Sequence, residues 1–324
     1  MRIVIAGGTG QIGSVLRHWF LKKGHEVVIL SRSKPTRNGA VHWNGQDLGS
    51  WVEWVDGSDV VINLAGRSVD CRYSAANLKE MMDSRVSSTR VIGQAIEGSS
   101  RPPGVWLQMS TATIYAHRFD AANDEVNGII GGEESAVPPK WKASVDIAKA
   151  WEATLNSAHT PRTRKVAMRT AMMMGTGRAS VFHVLSKMTR AGLGGPIAGG
   201  AQYVSWIHEL DLVRAVDALI HDDGFEGPVN LASPNPLPQR AFMEVLRGCW
   251  KAPFGLPATS WMAEIGAFIL RTETELLFKS RRVIPTHLLS RGFEFQFAKW
   301  QSAASDLVSR LKRGHLPIAL PPGE

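Results

Sequence analysis

The chain has 324 residues, 44 % apolar and 20 % charged, with 37 basic and 29 acidic side chains and a formal net charge of +8. These proportions exclude a disordered or fibrous chain, and no apolar run approaches the ~18 residues that span a bilayer. At about 150 residues per domain, the length suits two domains, or one large α/β core with an appended lobe.

Two cysteines, Cys71 and Cys249, are too few for a disulfide scaffold and point to a reducing compartment. Residues 2–6 read as a strand and leave no room for a leader peptide, so the cytoplasm is the expected location. The basic excess suits an anionic partner. The densest runs, Arg162-Thr163-Arg164-Lys165 and Lys279-Ser280-Arg281-Arg282, are short and lack interleaved aromatics. They read as solvated basic faces. The expected partner is a small molecule, with no nucleic acid and no membrane.

Ile3-Val4-Ile5-Ala6 is the apolar run of a strand covered on both faces. Ile12, Val15, Leu16, Trp19 and Phe20 then recur at helical spacing, Gly24 closes that helix, and Val27–Leu30 is the next strand. This succession predicts a right-handed βαβ unit in a parallel sheet. The alternation continues with a strand at 60–64, a helix at 75–97, a strand at 105–109 and a helix at about 140–157. A strand at 165–170, a helix near 209–221 and a strand at 228–231 complete it. The pattern predicts a doubly wound, Rossmann-like α/β fold over residues 1–232. From 233, prolines punctuate shorter helical stretches (241–250, 259–270, 299–312). They predict a small C-terminal, substrate-side lobe over 233–312 and a proline-rich tail at 313–324.

Gly7-Gly8-Thr9-Gly10-Gln11-Ile12-Gly13 follows the first strand and opens the first helix. Gly7 permits a tight turn, Gly10 lets backbone approach a pyrophosphate, and Gly13 lets helix and strand pack closely. The helix start, from Thr9 through Gln11 and Ile12, offers unpaired N–H groups and positive dipole to the anion. An NAD site usually carries an acid at the end of the second strand. This chain reads Leu30-Ser31-Arg32-Ser33-Lys34 there, which suits a ribose 2′-phosphate, so the expected cofactor is NADP(H).

Together with Asn63-Leu-Ala-Gly66, Asp83-Ser-Arg-Val86, Gly192-Leu-Gly-Gly-Pro196, Ser205-Trp-Ile-His208, Gly227-Pro-Val-Asn230 and Arg282-Val-Ile-Pro285, these segments are identifiable. The chain resembles the extended short-chain dehydrogenase/reductases. Within them it is similar to the atypical, sugar-nucleotide-epimerase-like branch, whose members end in a small domain of unknown function. The resemblance covers about residues 1–295. It implies a Rossmann core, NADP(H) binding and, in general, an unassigned substrate. It also implies that Ser31 and Arg32 contact the ribose phosphate, that Leu64 and Ala65 run along the cofactor, and that Glu80 and Arg85 stand at its site. Spacing independently puts Arg85 on the apolar helical face of Leu78, Met81, Thr89, Ile92 and Ile96. A charge there needs a partner, either a phosphate or an internal carboxylate.

Ordinary members of the superfamily use a Ser/Thr and a Tyr-x-x-x-Lys pair, whose spacing puts phenol and ammonium on one helical turn. Here that stretch is Val145-Asp146-Ile147-Ala148-Lys149, so the lysine remains and the tyrosine is gone. Thr111 takes the place of the Ser/Thr. Tyr115, four residues later, is either a substitute proton donor or a pocket wall. The polar connection 116–140 reads as a substrate lid, the glycine run 192–200 as a turn roofing the pocket, and Trp106, Trp151 and Trp206 as cleft linings. His208 and Asp211 lack a nucleophile elbow, and Asp211 reads as charging the first turn of the following helix. The ten histidines show no metal-ligand spacing, so no metal is expected.

Two functions follow. One is an NADP(H)-dependent oxidoreductase or epimerase-like enzyme acting on a small polar, nucleotide-sugar-like substrate, with Thr111, Tyr115 and Lys149 as catalytic candidates. The other is a non-catalytic NADP(H)-binding redox-sensing or regulatory protein. The missing tyrosine favours the second; Thr111 and Lys149 favour the first.

Overall fold

The strands that read as unbroken apolar runs are the ones the fold buries on both faces. The computed structural model describes residues 1–32, 40–134, 137–178, 180–262, 264 and 273–314. Its first half comprises β1 (Arg2–Ala6), α1 (Gln11–Lys22), β2 (Glu26–Ser31), β3 (Val41–His42), α2 (Val52–Val55), β4 (Val60–Asn63), α3 (Ala75–Glu97) and β5 (Val105–Thr111). Then come α4 (Pro139–Ser157), β6 (Arg164–Thr170), β7 (Met172–Met174), α5 (Val181–Arg190), β8 (Tyr203–Val204), β9 (Trp206–His208), α6 (Glu209–His221), β10 (Gly227–Leu231), β11 (Leu237–Pro238) and α7 (Gln239–Trp250).

Seven strands form one sheet in the order β10-β6-β5-β4-β1-β2-β3, every pair parallel. Chain direction through the sheet reverses between β1 and β4. The C-terminal ends of those strands therefore open the crevice where such sheets bind ligands. Val15, Leu16, Trp19 and Phe20 of α1 and Val213, Val216 and Leu219 of α6 bury one face. Val91, Ile92 and Ala95 of α3, with Trp43 and Trp51, bury the other. Each such Val, Leu, Ile or Phe, fully buried, contributes roughly 1.5–3 kcal/mol.

A third core joins α5, α7 and a helix at Trp300–Lys312 around Phe182, Trp206, Phe242 and Trp300. Phe242 stacks on Trp300 with ring centres 4.0 Å apart. Trp106 and Trp206, expected in the cleft, are instead fully buried in these cores. The helix expected at 259–270 and the tail from 315 fall largely outside the described residues.

The connection after β5, read from sequence as a lid, is braced at several points. Ala116 N–H donates to Ile129 O at 2.8 Å and Gly131 N–H to Ile114 O at 2.9 Å. Asn123, fully buried, accepts from Ile284 N–H and donates its own N–H to Arg282 O. The polar loop thereby ties β5 to the C-terminal segment, because buried backbone groups must find partners.

Candidate active site

Gly7 adopts a left-handed φ of +72°, and a Cβ there would lie 2.9 Å from Ala65 backbone. A Cβ on Gly13 would meet Gly8 backbone at 2.4 Å, so α1 can only press this close to the turn through two bare glycines. Gly10, the N-cap of α1, supplies no side-chain cap, which leaves the first N–H groups without protein partners among the described residues. A Cβ on Gly10 would have nothing nearer than Gly7 O at 3.8 Å. In front of it lies a cavity of about 300 Å³ between Thr9, Gly10, Gln11 and Ser14 on one side and Gly175 and Arg178 on the other. Open space, bare amides and the helix dipole together fit an anionic pyrophosphate.

Leu64 and Ala65 close against this turn. Leu64 N–H donates to Ala6 O at 2.9 Å, and Asn63 Oδ1 accepts from Ala65 N–H at 3.0 Å. Asn63 in turn donates to Gln108 Oε1 at 3.0 Å, both side chains being wholly buried. Ser31 ends β2 and is only 4 % exposed, whereas Arg32 beside it is exposed. Ser33 and Lys34 lie outside the described residues.

Arg85 is 9 % exposed and sits under Gly66. Its guanidinium donates to Met81 O and Arg67 O, each at 3.0 Å. No carboxylate pairs with it among the described residues, so the internal ion pair weighed from sequence is replaced by two carbonyls and the ring of Trp151. Burial pulls the guanidinium down to about 10. Glu80 is exposed on α3 and pairs with Arg67.

Thr111 ends β5, and its hydroxyl accepts from Thr113 N–H at 3.1 Å to cap the short turn Ala112–Ile114. Val145 is completely buried on α4, at the position where the resemblance expects a tyrosine. Lys149, one turn on, is half-buried, with no hydrogen-bond or ion-pair partner among the described residues. Both lie under Gly132, whose missing Cβ would sit 3.4 Å from Val145 and 3.5 Å from Lys149 Nζ. Tyr115 points elsewhere. Its hydroxyl donates to Asn230 Oδ1 and accepts from Arg169, each at 3.0 Å. Burial raises its phenol above the ordinary range although Arg169 opposes that shift. Arg169 also grips Glu152 through two hydrogen bonds of 2.9 and 2.7 Å.

The basic run at 279–282 is not a solvated face. Lys279 is 2 % and Arg281 8 % exposed, and Glu275 is fully buried between them. Lys279 Nζ donates to Thr113 O at 2.8 Å and Arg281 Nε to Thr113 Oγ1 at 3.1 Å. Ser144, immediately before Val145, donates to Glu275 Oε2 at 2.5 Å. Sequence reading missed this cluster because charge density along a chain carries no information on what packs over it. Asp211, expected to charge the first turn of α6, lies in that turn, and its carboxylate accepts from Gln296 and Phe297 N–H at 2.8 Å each.

A family model described as "NAD dependent epimerase/dehydratase family" matches residues 3–232. The chain belongs to that family. A domain of unknown function, DUF1731, matches residues 258–307. The epimerase family protein SDR39U1 of Homo sapiens is 28 % identical, over 95 % of this chain and 100 % of that protein. Epimerase family protein YfhF of Bacillus subtilis is 27 % identical, over 96 % of this chain and 99 % of its own length. Among solved structures, human SDR39U1 with NADPH has a TM-score of 0.83 at 24 % identity, covering 95 % of this chain and 99 % of that one. MoeE5 in complex with UDP-glucuronic acid and NAD has a TM-score of 0.73 at 14 % identity, covering 97 % and 100 %. The Rossmann-like, short-chain-dehydrogenase type of fold is thus shared along nearly the whole chain. No helix among the described residues is long and apolar enough to cross a membrane.

Proposed function

We propose that this family member binds NADP(H) and transfers hydride to or from a small polar substrate held beneath its C-terminal segment. The open, amide-lined cradle at Gly10, with Gly7 and Gly13 enforcing its shape, carries the reading. Gly7, Thr9, Gly10, Gln11, Ile12 and Gly13 would hold the pyrophosphate, and Ser31 and Arg32 the adenosine ribose with its 2′-phosphate. Leu64 and Ala65 would line the nicotinamide half. Exposed Arg32 and the lack of an acid at that strand end support NADP(H) over NAD(H), as does the NADPH in the SDR39U1 structure. When bound, the nicotinamide would supply the hydride. Thr111 and Lys149 would orient substrate and cofactor ribose. The sugar nucleotide bound by MoeE5 supports a nucleotide-linked substrate.

Calorimetry with NADPH and NADH tests the cofactor half: saturable binding of NADPH is expected, and no binding of either coenzyme would refute it. A second reading, an NADP(H)-binding sensor without turnover, is favoured by Val145 and by the engaged hydroxyl of Tyr115. NADPH retained on the protein but never oxidised against a panel of carbonyls and nucleotide sugars would decide for it.

A further inference from the structure

Three atoms converge against Thr113 and Ser144, which lie within two residues of Thr111 and Val145 in the chain. Glu275 Oε1 stands 3.6 Å from Lys279 Nζ and 3.8 Å from Arg281 Nη2, too far for direct hydrogen bonds. Oε1 and Nη2 are buried without a hydrogen-bond partner among the described residues. Buried polar atoms of this kind call for an explanation, and their spacing suits one oxygen that accepts from the cations and, as a hydroxyl, also donates to the carboxylate.

Contacts on three sides tie the cluster to the cleft. Lys279 and Arg281 both bond Thr113, two residues beyond Thr111. Glu275 bonds Ser144, the neighbour of Val145. Glu134, whose field reaches Lys279, accepts from Gly132 N–H at 2.5 Å, and Gly132 covers Val145 and Lys149.

We propose that Glu275, Lys279 and Arg281 form the subsite for a substrate oxygen, a carbonyl when the substrate is oxidised and a hydroxyl when it is reduced. Lys279 exchanges the proton with that oxygen and so does the work of the absent tyrosine. The inference rests on the hydride-transfer reading above. In the reducing direction, Lys279 Nζ gives a proton to the carbonyl oxygen while the carbonyl carbon accepts a hydride from the reduced nicotinamide. The C=O π pair becomes the new O–H bond, the nicotinamide is oxidised, and the neutral amine regains a proton from solvent.

The groups facing Lys279 set its acidity. Burial brings the ammonium down to about 8, and Arg281 adds to that, whereas Glu275 and Glu134 oppose it. His117, from the connection after β5, lies within its field. A donor poised near the working pH is what proton transfer requires.

The test measures NADPH oxidation against phenanthrenequinone and dihydroxyacetone between pH 6 and 10, alongside NADPH affinity by fluorescence titration. Lys279→Met should lower kcat by about 100-fold or more and leave the NADPH Kd within about twofold. Glu275→Gln, a gentler change, should move the alkaline limb of the rate profile to lower pH, because the carboxylate that favours the ammonium is lost. Normal turnover in Lys279→Met, or an unmoved limb in a folded Glu275→Gln, overturns this inference alone. Failure of the wild type to oxidise NADPH with either probe defeats the hydride-transfer reading and this inference with it.

Discussion

Arg85 holds its guanidinium carbon 4.9 Å from the ring centre of Trp151, with the indole N–H of Trp151 donating to Thr89 Oγ1 at 3.0 Å. A cation is thus buried on an aromatic face directly beneath Gly66, supported by carbonyls but by no anion among the described residues. Cation–π support of a desolvated guanidinium amounts to about 2 kcal/mol, less than burying a charge costs. An anionic ligand at the β4 end would redress that balance. Arg85→Met should therefore weaken NADPH binding about tenfold or more while lowering the melting temperature little. Fluorescence titration and thermal unfolding measure the two effects, and unchanged affinity would make Arg85 a purely internal support.

Gly13 is the tightest point of the cradle, with Gly8 backbone at 2.4 Å from any added Cβ. Gly13→Ala must push α1 away from the turn. The expected cost is about 1–3 kcal/mol, together with loss of measurable NADPH binding, read by calorimetry on the folded variant.

For cofactor choice, thermal stabilisation by NADPH should exceed that by NADH. A ligand at about 100 times its Kd adds roughly 2.7 kcal/mol, so the contrast is resolvable in a melting scan. Arg32→Ala should bring the two coenzymes to parity. A preference surviving that change would place the 2′-phosphate elsewhere.

Glu152 and Arg169 form a buried two-pronged pair that also carries Ser110, whose hydroxyl donates to Glu152 at 2.6 Å. Arg169→Met should destabilise by about 3–5 kcal/mol, since a buried carboxylate is left alone, and Glu152→Leu with Arg169→Met by clearly less. Urea unfolding of the single and double variants makes the comparison.

Glu273 anchors the C-terminal segment by accepting from Tyr73 N–H at 3.1 Å and Lys140 Nζ at 3.3 Å. Burial works to raise its carboxyl, but the hydrogen bonds from Tyr73, Lys140 and Thr274 outweigh it and hold the folded value below the ordinary one. A depressed carboxylate adds stability above its unfolded value, and that stability disappears as pH falls through the folded one. Glu273→Gln should therefore lower the melting temperature more at pH 7 than at pH 3. An equal deficit at both pH values would show that charge is not the cause.

Much of this was legible in the chain itself. Period-two and period-3.6 patterns report burial locally, so Ile3–Ala6, the stripe from Ile12 to Phe20 and the strands that follow were readable one element at a time. The glycines from Gly7 to Gly13 were readable too, because a tight turn into a helix allows few other residues. Arg85 was visible as a charge on an apolar face, though not what it would touch. What no local pattern contains is which distant segment covers which. Tyr115 was free to point into a cleft until Asn230, 115 residues later, took its hydroxyl. Lys279 and Arg281 read as solvated charges until the fold laid them on Thr113, against Glu275 and beside Ser144. The residues alone pointed to a dinucleotide-type cradle, and their resemblance to a valine where a tyrosine is expected. Only tertiary packing decided that buried charges from the C-terminal segment press on Thr113 and Ser144, because desolvation arises from contacts remote in sequence.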